Sequence, residues 1–292
     1  VRVTAWAAHD WLRAGFSTRQ GGLSTVYAEG AVTSSGRPVG EQNLGFTELD
    51  DPAAVAKNRL RLAAAVAGKC TPPTLVTVRQ IHSSLIRVLD QANEETSLAA
   101  MLTSEGKAAL QGDGLMTAEQ GLLLGIMTAD CVPILIADTK TRAVAAFHAG
   151  WRGTVARIVE HGVGAMRQRF GSKPEHLIAA IGPAIGACCY IVGAEVRSQF
   201  EGQFAYADQL FRISPGDKAS PGEGAGVGLQ LHLDLHEANR RQLLDAGLKP
   251  KAITVLGECT ACTRLQNGRR KYFSYRAEAG VTGRMMAVIG TV

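Results

Sequence analysis

The chain has 292 residues, 46% apolar and 20% charged, which is enough apolar material for a full core and excludes a disordered or low-complexity protein. Its net charge of +5 exerts a mild pull on anions, yet no Lys/Arg run has the density of a nucleic-acid arm. The densest cluster, Arg269-Arg270-Lys271, reads as a solvated turn, so nucleic acid is not an expected partner. In chain order, residues 15–24 (GFSTRQGGLS) read as a short strand entering a glycine turn, and 31–42 as a polar loop ending at Asn43-Leu44-Gly45. Asp51 stands as an N-cap before Pro52 and Gly68 as a stop, which predicts a helix with Val55, Leu60, Leu62 and Val66 inside. Residues 75–90 alternate apolar and polar positions as two consecutive strands do, with His82 near the break. Val132–Asp138 and 143–148 are apolar runs of strand length joined by the polar Thr139-Lys140-Thr141-Arg142, a hairpin pattern. Thr154 opens a helix in which Val155, Ile158, Val159, Val163 and Met166 recur at helical spacing until Gly171. Residues 177–194 lack charge over nearly a membrane span, but Pro183 and three glycines interrupt any helix, so a buried strand and loop is expected and no membrane partner. Residues 216–228 are a flexible loop by composition, Asp234 caps a helix that stops at Gly247, and 253–256 form a buried strand. Neither a fixed-period repeat nor a Pro/Ser linker divides the chain, so 1–292 is expected to be a single domain.

The hairpin is the most informative element. A four-residue loop sets Asp138 opposite Ala143 and Cys131 opposite Gly150, with His148 a diagonal neighbour of Cys131 on one face; an odd loop would separate them. A Cys and a His side by side at strand ends are either two metal ligands or a nucleophile and its base. His82, at another expected strand end, completes the three ligands of a catalytic zinc site that keeps one position open. The spacings are long, and the residue types alone leave three readings: a zinc enzyme, a metal-free thiol hydrolase with Cys131 as nucleophile and His148 as base, or ordinary core residues. A closed, purely structural zinc would need a fourth ligand, for which Cys189 and Cys259 are the candidates. Cys259-Thr260-Ala261-Cys262 has metal-like spacing but no second such pair accompanies it, so buried thiols are expected there; Cys188-Cys189 reads as core, and His232 and His236 as surface. The early charges of VRVTAWAAHDWLRAG do not suit a secretory leader, and six cysteines without a disulfide pattern suit reduced thiols, so a cytoplasmic location is expected. With seven histidines and no His-x-His pair, the chain cannot build the copper cluster of a blue multicopper oxidase.

Taken together, FSTRQGGLS (16–24), Asn43-Leu44-Gly45, Lys57-Asn58-Arg59, Arg79-Gln80-Ile81-His82, Gly112-Asp113-Gly114, TADCVP (128–133), HAGWRG (148–153), IGPAIGACCY (181–190), Cys259-Thr260, FSYR (273–276) and Thr282-Gly283-Arg284 closely resemble one bacterial family. It is the family labelled polyphenol oxidase or laccase domain and associated with purine nucleoside phosphorylase activity. The resemblance implies an α+β single domain of mixed β-sheets packed against helices around a sandwich-like core. It implies zinc held by His82, Cys131 and His148; the alternative is adventitious copper at the same ligands, a source of weak oxidase activity in vitro. It implies purine nucleosides and phosphate as substrates: phosphorolysis of adenosine, inosine, guanosine and methylthioadenosine, and deamination of adenosine. A zinc site of this kind would supply an activated water for the deamination. On the matched motifs, Asn43, Arg59, Gln80 and Arg276 are assigned to substrate binding, and Asp130 and Arg152 to catalysis. Asp130 either moves a proton or orients a ligand, and Arg152 precedes the Thr154 helix, where a helix N-terminus favours an anion. Arg19 is a further candidate for phosphate or ribose. Two positions depart from the family pattern: Ala277 follows Arg276 where a second arginine is common, and Ala14 stands where a histidine often precedes GFSTR. The sequence sets no oligomeric state.

Overall fold

The structure, a computed structural model, describes residues 1–28, 30, 32–68, 70–90, 107–215 and 229–292. The apolar stretch around Cys131 generates its centre. β6 (Leu122–Thr128), β7 (Val132–Asp138) and β8 (Val144–Ala149) are buried along almost their whole length, as expected of strands covered on both faces. β6 lies in a four-stranded sheet of order β1 (Leu12–Phe16), β14 (Met285–Thr291), β6, β3 (Thr74–Thr77). β7 and β8 lie in a six-stranded sheet of order β13 (Ile253–Val255), β9 (Leu177–Ile181), β7, β8, β5 (Gly114–Thr117), β4 (Ile86–Leu89). A small third sheet is made by β10 (Ile191–Val192), β12 (Leu229–Leu233) and β11 (Phe211–Pro215). Parallel pairs (β3·β6, β4·β5, β9·β13) sit beside antiparallel ones, so the sheets are mixed.

Strand alternation sorts the apolar side chains into layers. Leu124, Ile126, Leu135, Ala137, Val144, Ala146, Ala287 and Ile289 fill the space between the two large sheets. The opposite face of the six-stranded sheet carries Ile134, Ile136, Ala145 and Phe147, which pack on α3 (Ile158–Phe170) and α4 (Leu235–Asp245). The opposite face of the four-stranded sheet carries Leu123, Met286 and Val288 against α1 (Pro52–Ala67). The result is an α+β domain in helix, sheet, sheet, helix order. Contact is close enough that a Cβ on Gly162 of α3 would lie 2.3 Å from the Phe147 ring, so the phenyl group occupies the space a side chain would need.

The expected caps are present: Asp51 accepts from the Ala53 N–H at 2.9 Å, and Asp234 from the Glu237 N–H at 3.0 Å. Several expectations are corrected. Leu60 is 70% exposed, because the buried stripe of α1 runs through Val55, Arg59, Leu62 and Ala63. The two strands expected within 75–90 are present as β3 and β4, with His82 between them, and they join different sheets. The helix expected from Thr154 is two helices, α2 (Trp151–Val155) and α3, divided at Arg157, whose φ of 56° breaks the helical path. Arg152 therefore lies inside a single short turn rather than ahead of a long helix. Arg269, Arg270 and Lys271 form no solvated turn: they bind Glu41, the Ala261 carbonyl and Glu258. His236 is buried, with Nε2 3.2 Å from the Gly182 carbonyl, and His232 is on β12 with Nε2 2.9 Å from Ser214 Oγ. The loop at 216–228 lies outside the described residues.

Candidate active site

The β7–β8 hairpin closes in the expected register. Pro133 opposes His148 and Val132 opposes Ala149, which sets Cys131 against Gly150. Asp138 fixes the turn by accepting from the N–H groups of Lys140 and Thr141. Because the loop has even length, His148 shares the face of Val144 and Ala146, and Cys131 that of Leu135, so both emerge at one end of the layer between the large sheets. The connection from β3 to β4 brings His82 to the same place, with its ring centroid 5.0 Å from that of His148. One ligand atom each from His82, Cys131 and His148 lies within 4.8 Å of the others. A Cβ on Gly150 would stand 2.9 Å from the Cys131 sulfur, so the hairpin partner of Cys131 has to be a glycine for the thiol to keep this position.

One carboxylate organises all of this. Asp113, wholly buried, accepts from the N–H groups of Ile81, His82 and Ser83, from Ser83 Oγ, and from His148 Nδ1 at 2.8 Å. Those bonds hold the turn in which His82 takes a φ of 59°, outside the regions open to most residues. They also commit Nδ1 of His148 to Asp113, which leaves Nε2 for Cys131 or a cation. Burial would raise the Asp113 carboxyl, but donors from His148 and Ser83 hold it at about 2. Burial would raise Cys131 as well, yet His148 and His82 bring it down to about 6; His148, lowered by burial, is raised on balance to about 9 by Cys131 and Asp113. Both shifts run in the direction that favours a thiolate beside an imidazolium.

Above this floor opens a cavity of about 670 Å³. Its walls carry Arg79, Arg152, Arg276 and Arg284 together with Trp151, Tyr190 and Tyr275. Asp130 also lines it, with a φ of 97°, but both its oxygens are engaged: Oδ1 accepts from Thr260 Oγ1 at 2.6 Å and Oδ2 from the Arg276 N–H at 2.7 Å. Gln80 lines the cavity while its amide is clamped to the Met127 backbone through both ends. Arg276 reaches the Ile191 carbonyl and Tyr190, and Arg152 lies over the Trp151 ring.

Other expected substrate contacts are turned inward. Asn43 is fully buried and spends its amide on Gly45, Asp50 and the Arg284 N–H. Arg59 is buried behind Met127, bonded to the Leu44 carbonyl and stacked on Phe46, and burial lowers its guanidinium to about 10. Arg19 is buried in an ion pair with Glu41 and Glu278. These three brace the cavity from outside it. Ala277 packs against Ile185, Cys259 and Ala261, and Ala14 faces Ile289 across β1 and β14. Cys189 and Cys259, the candidates for a fourth ligand, belong to a different group of side chains. Arg79, Arg284, Tyr190 and Tyr275 were not singled out from the sequence, although each lies in a motif that carried the family resemblance. The signal for Asp113 was a lone acid between two glycines at the start of an apolar strand.

The family described as "Multi-copper polyphenol oxidoreductase laccase" matches residues 13–292. The chain is 35% identical over 284 residues to "Purine nucleoside phosphorylase YlmD" of Geobacillus stearothermophilus, covering 97% of this chain and 95% of that protein. It is 37% identical over 190 residues to "Adenosine deaminase RL5" of an unknown prokaryotic organism, covering 64% of this chain and 66% of that one. Its fold superposes on the crystal structure of the Bacillus licheniformis hypothetical protein YfiH with a TM-score of 0.77 at 31% identity, over 98% of this chain and 94% of that one. The chain therefore belongs to the multi-copper polyphenol oxidoreductase laccase family, several of whose members are named purine nucleoside phosphorylases.

Proposed function

We propose that this protein is a zinc-dependent purine nucleoside phosphorylase that acts on adenosine, inosine, guanosine and methylthioadenosine and also deaminates adenosine. The observation that carries the reading is the convergence of His82, Cys131 and His148 at the floor of an arginine-lined cavity. The donor set fits zinc: two imidazoles and a thiol with a depressed pKa, one imidazole held by a buried carboxylate in the orientation that presents its other nitrogen. Zinc bound there would supply Lewis-acid chemistry at its open position. The rest falls to the chain's own side chains. Arg79, Arg152, Arg276 and Arg284, whose planar guanidinium forks match phosphate oxygens, suit the phosphate dianion. Trp151, Tyr190 and Tyr275, which line the cavity, are aromatic groups of the kind that pack against a planar purine. In phosphorolysis a phosphate oxygen bonds to ribose C1′ as the bond from C1′ to the base breaks, so the cavity must hold an anion and a planar leaving group together. Asp130, saturated by Thr260 and Arg276, serves as a positioning residue that fixes the backbone of Arg276. Among the described residues no helix is long and apolar enough to cross a membrane. A cytoplasmic location is part of the proposal and rests on six cysteines without a disulfide pattern.

The test is chromatography of adenosine incubated with purified protein, with and without phosphate, beside elemental analysis. Adenine and ribose 1-phosphate are expected only with phosphate, and inosine in either case. Replacing His82 with Ala should abolish both; full turnover in that variant refutes the zinc enzyme. Loss of turnover with the fold retained refutes a purely structural role.

A further inference from the structure

A second group of metal-type donors lies outside the cavity. β9 and β13 are parallel neighbours, with Ala179 opposite Ile253 and Ile181 opposite Val255, so the loops that follow them leave the same end of the sheet side by side. The pairing continues as a bridge between Ala184 and Cys259, with Thr260 N–H bonded to the Ala184 carbonyl. This arrangement joins two cysteine pairs far apart in sequence: Cys188-Cys189 from one loop and Cys259-Thr260-Ala261-Cys262 from the other. The four sulfurs lie within 4.8 Å of one another, and those of Cys188 and Cys262 are 3.6 Å apart. With a Zn–S bond of about 2.3 Å, a tetrahedral site has sulfurs about 3.8 Å apart, close to that separation. The Gly186 N–H points at the Cys259 sulfur at 3.3 Å, a donor that favours a thiolate. Arg270 binds the Ala261 carbonyl between the two cysteines of the second pair, bringing positive charge to a cluster that would carry net negative charge with zinc.

We propose that Cys188, Cys189, Cys259 and Cys262 form a second, closed site for a structural zinc ion. Binding releases the thiol protons to solvent, and four protein ligands leave no position for a reactant. The site's purpose follows from its neighbours. Ile185 N–H bonds to the Asp130 carbonyl and Thr260 Oγ1 to its carboxylate, while Tyr190, next to Cys189, lines the cavity. Tying the two loops together fixes the wall that carries Asp130 and Tyr190.

Metal content of the full chain, purified under reducing conditions, tests this by elemental analysis and native mass spectrometry. Wild-type protein should carry a zinc ion that the double variant Cys188→Ser/Cys262→Ser loses. The variant His82→Ala/Cys131→Ser, which dismantles the cavity site and leaves the cysteines, should still hold that ion, and after cobalt exchange should show the thiolate charge-transfer absorption of a tetrathiolate centre. Equal zinc in wild-type and Cys188→Ser/Cys262→Ser protein overturns the proposal. So does a zinc-free His82→Ala/Cys131→Ser protein, which remains decisive if the cysteine variant fails to fold. An intact mass short by two hydrogens with no such ion would identify a disulfide instead and equally overturn it. Failure of the cavity site alone leaves these readouts unchanged.

Discussion

Replacing Asp113 with Asn keeps the shape of the side chain and removes one acceptor oxygen. In the native protein Oδ1 serves the His82 N–H and His148 Nδ1, while Oδ2 serves the N–H groups of Ile81 and Ser83 and Ser83 Oγ. The amide oxygen can replace only one of them. If it takes the Oδ2 place, the new NH2 confronts the His82 N–H and forces His148 to accept on Nδ1, which moves its proton to Nε2 and removes that nitrogen as a ligand. Hydrogen bonds to a charged group contribute about 1.5–3 kcal/mol each, so inverting two costs about 3–6 kcal/mol, a large part of a typical domain's stability. Metal affinity should fall about 10- to 100-fold, as for other carboxylates that orient a ligating histidine. Urea unfolding of metal-free protein reads the first effect and competition with a chromogenic chelator the second. A variant with the wild-type midpoint and wild-type metal affinity would show that Asp113 organises neither the His82 turn nor the His148 ring.

Gly150→Ala places a Cβ 2.9 Å from the Cys131 sulfur at a residue whose backbone accepts alanine, so the thiol should swing aside; metal content should drop while thermal unfolding shifts little. Arg19→Met leaves the buried Glu41 with Arg269 as its one ion-pair partner among the described residues, and should cost about 3–5 kcal/mol in urea unfolding. Burial lowers the pKa of His236 below its ordinary 6.5, so it adds stability above that pH which is lost as the pH falls and the unfolded chain takes up the proton. Replacing it with Asn should flatten the dependence of the urea midpoint on pH below 6.5, and an unchanged slope would exclude it as the source.

The elements that could be read from the sequence carry local signals. Loop parity set the face of Cys131 and His148, and Asp51 and Asp234 marked helix starts. β14 and the short strands β10 to β12 have no such punctuation, and the break at Arg157 is a backbone turn that residue type does not announce. In the site the difficulty lay in direction rather than identity. Asn43, Arg19 and Arg59 have the chemistry of ligand-binding residues but face buried carbonyls and carboxylates, while Arg79 and Arg284 reach the cavity. Nothing local distinguishes the two sets. The two cysteine pairs likewise become neighbours only because β9 and β13 pair in parallel, which no spacing within either segment reveals.

The position of β14 bears on how this molecule is made. It is an interior strand, zipped to β1 on one side and β6 on the other, so its sheet joins segments far apart in the sequence. Pairings so distant in order carry a large loop-closure entropy and form slowly. While residues 285–291 are still in the ribosomal tunnel, β1 and β6 have no partner between them, and the seam from which His148 and Cys131 emerge lacks one wall. Assembly of the centre thus waits for β14 to pair, and nascent chains spend that interval with two apolar strand edges exposed to chaperones or to one another.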